Sequence, residues 1–438
     1  MTSSPGFDVA GAAIIEPQKV SPRVVLAGAV GSVVEYYDFA VYGYVATILA
    51  AKFFVSDDPS AALLLTLATF ALAFVLRPIG GIIFGHFGDR YGRKNALAGT
   101  IVLMAGASGL IGVLPTYAAI GVGATALLVL ARCAQGIAAG GELGGAASFV
   151  AEYSPRHRRG LLCSTTQTGA LAGALLASAT VALLNAGLGD AAMSDWGWRI
   201  PFLIAIPLGV VGLWIRWRLA ETPRFEALEK EEGERKAPLI ELLRDHRRAL
   251  VQCIGLSILL FSAYYVFYVY INIHLQTVVG VSAGAALWST TATLVVATLC
   301  MPLFGALSDK VGRKPVFLGA SLAALIMSIP GFMLLEQGGA TAVFAHIALG
   351  LIDSALMGAA FSTFAELFTT RIRYTGIALG FNIGAATAGG TAPYICTWLV
   401  DTSGVSVAPA YFVMATAVIT LATALTLKET AGSRLRDA

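Results

Sequence analysis

A ten-residue motif occurs twice in this chain, in residues 85–94 and 305–314, and 220 residues separate the two copies. Both copies fit the pattern G-x-x-x-D-[RK]-x-G-R-K. A glutamate that precedes an arginine by seven residues also recurs, as Glu152 with Arg159 and as Glu366 with Arg373. The chain therefore consists of two homologous halves, and each half places its motif between two long apolar segments. Duplicated apolar bundles with short charged loops are typical of transporters.

The apolar content of the chain is too high for a water-soluble protein. Hydrophobic residues make up 57% of the 438 residues and charged residues 13%. Apolar runs of about 20 residues indicate transmembrane helices, since only helices and closed barrels satisfy the backbone in hydrocarbon. We therefore predict an all-α membrane protein with twelve transmembrane helices in two pseudo-symmetric six-helix bundles. The predicted spans are roughly 24–50, 62–84, 96–113, 121–149, 161–186, 199–217, 249–271, 285–306, 315–334, 341–364, 375–399 and 408–427.

Basic residues lie almost entirely on one side of these predicted spans. Of the 29 Lys and Arg, only Lys52 and Arg199 lie in or beside the odd-numbered connections, while Arg77 and Arg132 lie within spans. By the positive-inside tendency, both termini and the loops with the repeated motif face the cytoplasm. This even spread over loops does not indicate nucleic-acid binding. We expect a multi-pass protein of the bacterial inner membrane, surrounded by the lipid bilayer.

A long, charged connection in the middle divides the chain into three parts. Residues 1–217 are predicted to form the N-terminal bundle, 218–248 a cytoplasmic linker, and 249–438 the C-terminal bundle. The first twenty residues lack the basic start and cleavage site of a removed signal peptide, so we expect the first span to be retained. The five cysteines lie in or at the ends of spans, which indicates packing residues and no metal site.

Six ionisable residues lie at membrane depth. A charge at the centre of a transmembrane helix costs roughly 2.5–3.5 kcal/mol on insertion, so such residues usually face one another or an aqueous cavity. Four acids and two bases leave an excess of negative charge, which predicts either protonated acids or a cavity that receives cations. Both are features of transport. The six residues are Glu35, Asp38, Arg77, Arg132, Glu142 and Asp353.

Asp38 and Arg132 are predicted to act as a coupling pair. At about 1.5 Å of rise per residue, both lie near the membrane midplane, in the first and fourth spans. Burial and an adjacent guanidinium act in opposite directions on the proton affinity of an acid. Such a pair can take up or release a proton when a substrate anion competes for the arginine. A permanent ion pair that locks two helices is the structural alternative.

Two further acids are candidates for proton coupling. Glu35 precedes Asp38 by three residues and lies on the same helical face. Asp353 is the only acid at depth in the second half, and no Lys or Arg lies within the spans of that half. Asp353 is therefore predicted to carry a proton or to bind a cationic substrate group, with a structural acid as the alternative. Arg77 precedes Pro78 and is expected to be a snorkelling or structural arginine.

Polar and aromatic side chains near these charges are predicted to contact the substrate. Tyr42 and Gln135 extend the helical faces of the coupling pair. The seventh span is rich in aromatic residues, and Tyr264 and Tyr268 lie one helical turn apart on it. An aromatic wall can pack an apolar chain, hold a quaternary ammonium, or donate hydroxyls to a carboxylate. The predicted substrate-binding residues are Arg132, Tyr42, Gln135, Gln167, Tyr264, Tyr268 and Asn382.

The repeated motif resembles the loop signature of the major facilitator superfamily, which follows the second and eighth helices of that fold. The resemblance covers essentially the whole chain. Within the superfamily, the chain resembles the metabolite:proton symporter family. Four stretches carry this narrower resemblance: 34–39 (VEYYDF), 77–81 (RPIGG), 132–136 (RCAQG) and 196–202 (WGWRIPF).

The resemblance implies two six-helix bundles around a central cavity, alternating access, and uptake together with protons. Proton-coupled sugar relatives pair a first-helix acid with a fourth-helix arginine, which matches Asp38 and Arg132. The resemblance also implies a cytoplasmic gate between the bundles. The residues that match the gate motifs are Asp89, Arg90, Arg93, Glu152, Arg159, Asp309, Arg313, Glu366 and Arg373.

The leading functional prediction is a proton-coupled symporter that imports a small organic acid (mono- or dicarboxylate) or a zwitterionic metabolite by alternating access. Arg132 stands nearly alone as a central cation, which disfavours a tricarboxylate. An osmolyte carrier for proline or betaine is the alternative; a drug/proton antiporter and a non-transporting membrane sensor are less favoured. We expect no enzymatic activity, no metal, no cofactor besides the proton gradient, and a monomer whose partners are a small substrate and protons.

Overall fold

The computed structural model describes residues 22–91, 93–141, 150–152, 154–218, 238–433 and 435. Within these ranges, side chains are described except at 22–30, 85, 88, 89, 91, 93, 94, 216–218 and 238–240. Most of the predicted linker 218–248 and the predicted membrane acid Glu142 lie outside the described residues. The boundaries predicted for the three parts of the chain therefore stay predictions.

The first half contains six helical segments in the described residues. The first consists of Pro22–Tyr44 and Ala46–Phe53, and the second of Pro59–Val75 and Arg77–Tyr91. The third to sixth are Arg93–Val113, Val122–Gly140, Arg159–Ala192 and Arg199–Arg218. Short helices at Tyr117–Ile120 and Arg156–Arg158 precede the fourth and fifth. These segments are called the first to sixth helices below.

The second half repeats this arrangement. Its seventh helix consists of Arg247–Tyr265, a π-helical turn Val266–Tyr270, and Ile271–Thr277. The eighth to tenth are Ala283–Val311, Arg313–Leu335 and Gly339–Leu367. The eleventh consists of Arg373–Gly384, a π turn Ala385–Gly389, and Ala392–Ser403, and the twelfth is Ala408–Leu425. A short helix, Pro238–Asp245, precedes the seventh.

The predicted all-α architecture of twelve segments is confirmed. Within the described chain, nine helices are long and apolar enough to cross a membrane. The sixth, Arg199–Ile215 by the same criterion, is apolar but shorter. The first and eleventh are interrupted, at Val45 and at the π turn that ends at Gly389. The described helix ends lie within several residues of the predicted spans, because the apolar runs set the length of each segment; the predicted end of the fourth span, at 149, lies outside the described residues.

Each half forms its own bundle, and the bundles meet along a defined set of helices. In the first half, the first helix packs on the fifth and the third on the sixth. In the second, the tenth lies between the eighth and ninth, and the twelfth packs on the seventh and ninth. Between the halves, the fifth helix packs on the eighth, the second on the eleventh, and the first on the seventh.

Two glycines permit the close approach of the halves. A Cβ at Gly43 of the first helix would lie 2.4 Å from a methyl carbon of Val269 on the seventh. A Cβ at Gly390 of the eleventh helix would lie 2.4 Å from the ring of Phe74 on the second. Small residues let helix backbones approach in this way. Both contacts join opposite halves, so the interrupted helices line the interface between them.

Candidate functional site

Glu35 and Arg77 form a buried ion pair in the first half. Glu35 Oε1 lies 3.1 Å from Arg77 Nη2. The Arg77 guanidinium carbon lies 4.5 Å from the ring centre of Phe39 and 4.4 Å from that of Phe74. Arg77 is therefore a structural arginine that does not snorkel, and Glu35 has a partner that the sequence did not assign to it. The proton-coupling role of Glu35 stays a prediction.

Asp38 and Arg132 both lie buried in the first half. They form no direct ion pair, so the permanent ion pair given as the structural alternative is absent from this structure, and their coupling role stays a prediction. Arg132 Nη1 donates to Gln135 Oε1 at 2.7 Å, and Gln135 Nε2 donates to Ser108 Oγ at 2.7 Å. Ser108 Oγ in turn donates to Asp38 Oδ2 at 2.6 Å. Two side chains thus separate the acid from the base, because the third helix inserts Ser108 between the first and the fourth.

Arg132 lies against three aromatic rings. Its guanidinium carbon is 4.1 Å from the ring centre of Tyr42, 5.1 Å from that of Phe39 and 5.2 Å from that of Phe70, within cation–π range. The Tyr42 hydroxyl donates to the Thr66 carbonyl at 3.1 Å. Tyr42 therefore contacts Arg132 through the face of its ring and not through its hydroxyl. Nε and Nη2 of this buried guanidinium donate no hydrogen bond to a described residue.

Asp353 of the tenth helix is fully buried at the centre of the second half. Neither of its carboxylate oxygens accepts a hydrogen bond from the described residues. The nearby Tyr268, which also interacts with Asp353, donates its hydroxyl to the Gly350 carbonyl at 2.6 Å. An ionised carboxylate buried without a cation is costly, so Asp353 remains a candidate for holding a proton or a cationic group.

A cluster of tyrosines joins the two halves beside Asp353. The ring centre of Tyr264 lies 5.4 Å from Tyr36, 4.9 Å from Tyr265 and 5.3 Å from Tyr268. The hydroxyls of Tyr264 and Tyr44 have no hydrogen-bond partner among the described residues. Tyr36 and Tyr44 come from the first helix and were not predicted as site residues. The available signal was their proximity to Asp38 in sequence.

The other two predicted substrate contacts, Gln167 and Asn382, each have an amide atom without a hydrogen-bond partner among the described residues. Gln167 is buried in the fifth helix, and its Nε2 donates to no described residue. Asn382 is half-buried in the eleventh helix, and its Oδ1 accepts from no described residue. The fifth and eleventh helices both lie along the interface between the halves, so each half contributes an amide with spare hydrogen-bonding capacity.

A π turn fixes the aromatic residues of the seventh helix. Such a turn frees a backbone carbonyl from the helical ladder, and the buried His346 of the tenth helix lies 2.6 Å from the Phe267 carbonyl through Nε2. The His346 Nδ1 lies 2.9 Å from the Ser289 hydroxyl of the eighth helix. Since a carbonyl only accepts, His346 Nε2 carries a proton. His346 therefore anchors the turn that presents Tyr268 to Asp353.

The end of the molecule opposite the repeated motifs contains a small cavity. Its volume is about 200 Å³, and Tyr44 lines it together with Asn185, Asp190 and Gln276. Gln276 accepts from the Thr47 hydroxyl at 3.3 Å across the two halves. The cavity thus lies between the halves and extends to a tyrosine of the central cluster.

The opposite end, which carries the repeated motifs and is called the repeat end below, is closed by ion pairs. Arg159 Nη1 lies 2.9 Å from Glu366 Oε1, and Arg373 Nη1 lies 2.6 Å from Glu152 Oε1. Each glutamate of the predicted gate therefore pairs with the arginine of the other half. Asp309 accepts from the backbone N–H groups of Gly160 and Leu161, at 2.7 and 2.9 Å, at the N-terminus of the fifth helix.

Arg313 connects the gate residues of the second half. Its Nη2 lies 2.9 Å from Asp309 and 3.3 Å from Glu366. Of the first-half counterparts, the side chains of Asp89 and Arg93 lie outside the described residues, and Arg90 is exposed. The gate roles of Asp89, Arg90 and Arg93 stay predictions.

The segment after the twelfth helix covers this network. Glu429 accepts from the backbone N–H groups of Arg313 and Lys314, at 2.9 and 3.1 Å, and so caps the ninth helix. Burial opposes ionisation of this carboxyl, but these and two further backbone donors hold the pKa of Glu429 below its usual value. The Ser433 carbonyl accepts from Arg159 at 3.2 Å. The end of the chain therefore contacts gate residues of both halves.

These contacts leave opposite charges without a direct ionic partner on the two sides of the interface. Arg132 in the first half lies among rings and neutral side chains, and Asp353 in the second half lies among tyrosines. The arrangement contains no covalent nucleophile–base pair that we can identify in the described chain. It is suited to binding and releasing a charged solute.

Comparison with known proteins places the whole chain in one family. The family model described as "Sugar (and other) transporter" matches residues 24–237 and 226–438. The two matched regions correspond to the two halves of the chain.

Several bacterial transporters are similar to the chain over most of its length. The "Proline/betaine transporter" of Escherichia coli (strain K12) is 39% identical over 426 residues, which cover 95% of this chain and 85% of that protein. The "Glycine betaine/proline/ectoine/pipecolic acid transporter OusA" of Dickeya dadantii (strain 3937) has the same identity and coverage. The "Ectoine/proline transporter ProP" of Corynebacterium glutamicum is 35% identical over 427 residues, with 94% and 84% covered.

Solved structures support the fold. The "Crystal structure of D-xylose-proton symporter" superposes with a TM-score of 0.74 at 22% identity and covers 94% of this chain and 99% of that one. A "partially occluded inward open conformation" of the xylose transporter XylE from E. coli gives 0.71 at 23% identity, with 94% and 99% covered. With both halves matched by one family model, this chain is a multi-pass membrane transporter, not an enzyme, and belongs to the sugar (and other) transporter family; its fold is that of a major facilitator superfamily symporter.

Proposed function

We propose that the protein imports a small zwitterionic solute of the proline and betaine class together with protons. The observation that carries this proposal is the pair of opposite charges at the interface between the halves. Arg132 has donors free for a carboxylate, and Asp353 has acceptors free for an ammonium group. A solute that carries both groups complements both sites, whereas the second carboxylate of a dicarboxylate would meet the like charge of Asp353.

The ammonium end of the solute is assigned to Asp353 and the tyrosine cluster. Aromatic rings attract quaternary ammonium groups through their faces, and the attraction grows when the site is desolvated. Tyr264 and Tyr268 belong to the second half, while Tyr36 joins them from the first. A carboxylate beside the rings adds the counter-charge. The cluster closes when the halves meet, so the solute is enclosed by residues of both.

The carboxylate end is assigned to the free edge of Arg132. Tyr265 of the seventh helix packs against one ring beside Arg132 and one beside Arg77, since its ring lies 5.6 Å from Phe70 and 5.1 Å from Phe74. Both of those rings belong to the second helix. A tilt of the second half therefore removes Tyr265 and opens a route to Arg132.

Asp38 is the residue proposed to carry the proton. It is buried, one of its oxygens is without a hydrogen-bond partner among the described residues, and it has no direct counter-ion. Glu35, the other acid of the first helix, is engaged by Arg77. Gradient-driven import would thus use Asp38 for the proton and the sites on either side of the interface for the solute.

The relatives favour the osmolyte class over the organic acids that the sequence placed first. Proteins named as proline, betaine and ectoine transporters share 35–39% identity with nearly the whole chain. The drug/proton antiporter and the sensor receive no comparable support. A carrier of this type matches the predicted placement in a bacterial inner membrane, as a monomer driven by the proton gradient without a cofactor.

Alternating access gives the two ends of the molecule distinct roles. Cross-half ion pairs close the repeat end, and the 200 Å³ cavity lies at the other. With the basic loops on the cytoplasmic side, the cavity faces the exterior and receives the solute. Release to the cytoplasm then requires Arg159 and Arg373 to leave their partners.

Uptake by purified protein in liposomes tests the proposal. An inward proton gradient should drive accumulation of labelled proline or glycine betaine, and a protonophore should abolish it. Succinate should not accumulate. An Asp38→Asn variant should lose gradient-driven accumulation but retain exchange of labelled for unlabelled solute, because the solute sites remain intact. Accumulation of succinate without either zwitterion would overturn the proposal.

A further inference from the structure

Ser108 lies at the only branch point in the hydrogen-bond chain between Arg132 and Asp38 that the structure describes. Its Oγ is 2.6 Å from Asp38 Oδ2, 3.0 Å from the Met104 carbonyl and 2.7 Å from Gln135 Nε2. All four side chains of the chain are at most 1% exposed. Ser108 was not among the predicted site residues.

Two of the four groups, Arg132 and Gln135, have a fixed hydrogen-bond direction. A guanidinium can only donate, so Arg132 requires the carbonyl oxygen of Gln135 as its acceptor. The amide nitrogen of Gln135 therefore points at Ser108 and donates to its oxygen. Only the hydroxyl proton of Ser108 retains a choice between two acceptors.

The two acceptors suit the two protonation states of Asp38. When Asp38 is a carboxylate, the Ser108 proton points at Oδ2. When Asp38 is a carboxylic acid, its own proton is donated to Ser108 Oγ, and the serine proton turns to the Met104 carbonyl. A rotation of the Ser108 O–H bond is sufficient. The contacts of Ser108 Oγ with Asp38 and Gln135 persist in both states, and none of these three side chains loses its hydrogen-bond partner.

We propose that Ser108 and Gln135 form a relay that links the proton on Asp38 to the occupancy of Arg132 by the carboxylate of the solute. A carboxylate on the free edge of Arg132 neutralises the charge that favours ionised Asp38, while Gln135 keeps the guanidinium joined to Ser108 through Nη1. Neutralisation of this charge favours the protonated acid, for which Ser108 provides the second arrangement. Solute and proton therefore bind together, as symport requires. This relay rests on the proposed function.

Four other groups set the electrostatic surroundings of Asp38. Arg132 faces it from the fourth helix, and Glu35 and Tyr37 belong to its own helix. Arg77 of the second helix neutralises Glu35 at 3.1 Å. Arg132 is thus the one charge near Asp38 that solute binding can neutralise, because a solute anion can reach its free donors.

Infrared spectroscopy of the purified full chain without solute tests the role of Ser108. The carbonyl band of protonated Asp38, identified by its loss in Asp38→Asn, is followed as a function of pH. In Ser108→Ala the carboxylate loses its donor, so the band midpoint should move upward by about one pH unit. Ser108→Thr should restore the wild-type midpoint. Ser321→Ala, at a buried serine of the ninth helix, is the matched control and should not move it. An unchanged midpoint in Ser108→Ala would overturn the relay.

Proton uptake on solute binding tests the link through Gln135. A pH indicator should report close to one proton bound per glycine betaine in the wild type, and less than half of that in Gln135→Leu. Equal uptake in both proteins contradicts the link. If the wild type binds no zwitterion at all, the proposed solute class fails, whereas the infrared midpoints still decide the role of Ser108.

Discussion

The buried charges at the centre of the first half have polar partners, whereas the buried acid at the centre of the second half has none among the described residues that accounts for its charge. The first half contains Glu35 with Arg77, and Asp38 with Arg132, each joined directly or through neutral side chains. The second half contains Asp353, whose carboxylate has no hydrogen-bond partner among the described residues. The duplicated glutamates and arginines, in contrast, pair symmetrically across the halves, as Arg159 with Glu366 and Arg373 with Glu152. The two halves thus share this pairing at the repeat end and differ at the centres of their bundles.

A single position illustrates this divergence. The offset of 214 residues that relates Glu152 to Glu366 places His346 at the position equivalent to Arg132. Arg132 keeps donors free at the centre, whereas both ring nitrogens of His346 contact the seventh and eighth helices. The cation of the first half thus corresponds to an anchoring residue in the second. We infer that the first half is specialised for proton coupling and the second for recognition of a cationic group.

Removal of Arg77 should have the largest effect, because it leaves a buried carboxylate in the first half without its cation. Arg77→Met should lower the free energy of unfolding by about 3–5 kcal/mol, measured by unfolding of the detergent-solubilised protein. The double variant Glu35→Gln/Arg77→Met should recover most of this loss.

The pair of exposed Arg371 and half-buried Glu241, at 3.2 Å, provides the matched control. Arg371→Met should change the free energy of unfolding by less than about 1 kcal/mol, since solvent screens this pair. Equal losses for the two arginine variants would show that the buried pair is not a structural element of the first half.

Replacement of Asp353 should affect transport and leave folding intact. Asp353→Asn removes the charge assigned to the ammonium group but breaks no ion pair that the structure describes. We expect the kcat/KM of zwitterion uptake to fall about 100-fold, which corresponds to about 2.7 kcal/mol, with no loss of thermal stability.

The exposed acid Asp401 of the eleventh helix is the control for this substitution. Asp401→Asn should retain uptake within about twofold. Two outcomes contradict the comparison between the halves: normal uptake by Asp353→Asn, or destabilisation of that variant as large as that of Arg77→Met.

The smallest effect is expected at the repeat end, where Glu429 caps the ninth helix. Glu429→Gln should lower the free energy of unfolding by about 0.5–1 kcal/mol at pH 7. The pKa of Glu429 lies below its usual value in the folded protein. Its contribution is therefore present above the usual pKa of a glutamate and is lost as the pH falls through the lowered folded value.

Thermal unfolding of wild type and Glu429→Gln should accordingly differ at pH 7 and converge in acid. Glu336, exposed at the other end of the same helix, is the control. Glu336→Gln should not destabilise the protein, because a negative charge is not favoured at the carbonyl end of a helix. A difference between wild type and Glu429→Gln that grows toward low pH would contradict the assigned role.

The sequence predicted the depth of the buried charges better than their partners. Asp38 and Arg132 lie in the same buried network because rise per residue fixes depth along a helix. Their separation by Ser108 and Gln135 depends on how the first, third and fourth helices rotate about their axes. The pairing of Glu35 with Arg77 depends on the same rotation. Span length and hydropathy do not determine it.

For the gate, too, the sequence predicted which residues take part but not which of them pair. The resemblance to the superfamily implied that Asp309, Arg313, Glu366 and Arg373 belong to one gate. It did not show that Glu152 pairs with an arginine of the other half. Sequence repeats describe each half separately, whereas a contact between the halves depends on how they are docked.

The sequence by itself determined twelve apolar segments, their duplication, the basic loops on one side and the lone acid of the second half, because lipid requires long helices and makes each buried charge conspicuous. Tertiary structure alone decided which charges meet, which tyrosines enclose Asp353, and that a serine of the third helix connects the acid to the arginine. Contacts of this kind depend on helix rotation and on the docking of the two bundles, which a pattern along one chain does not encode.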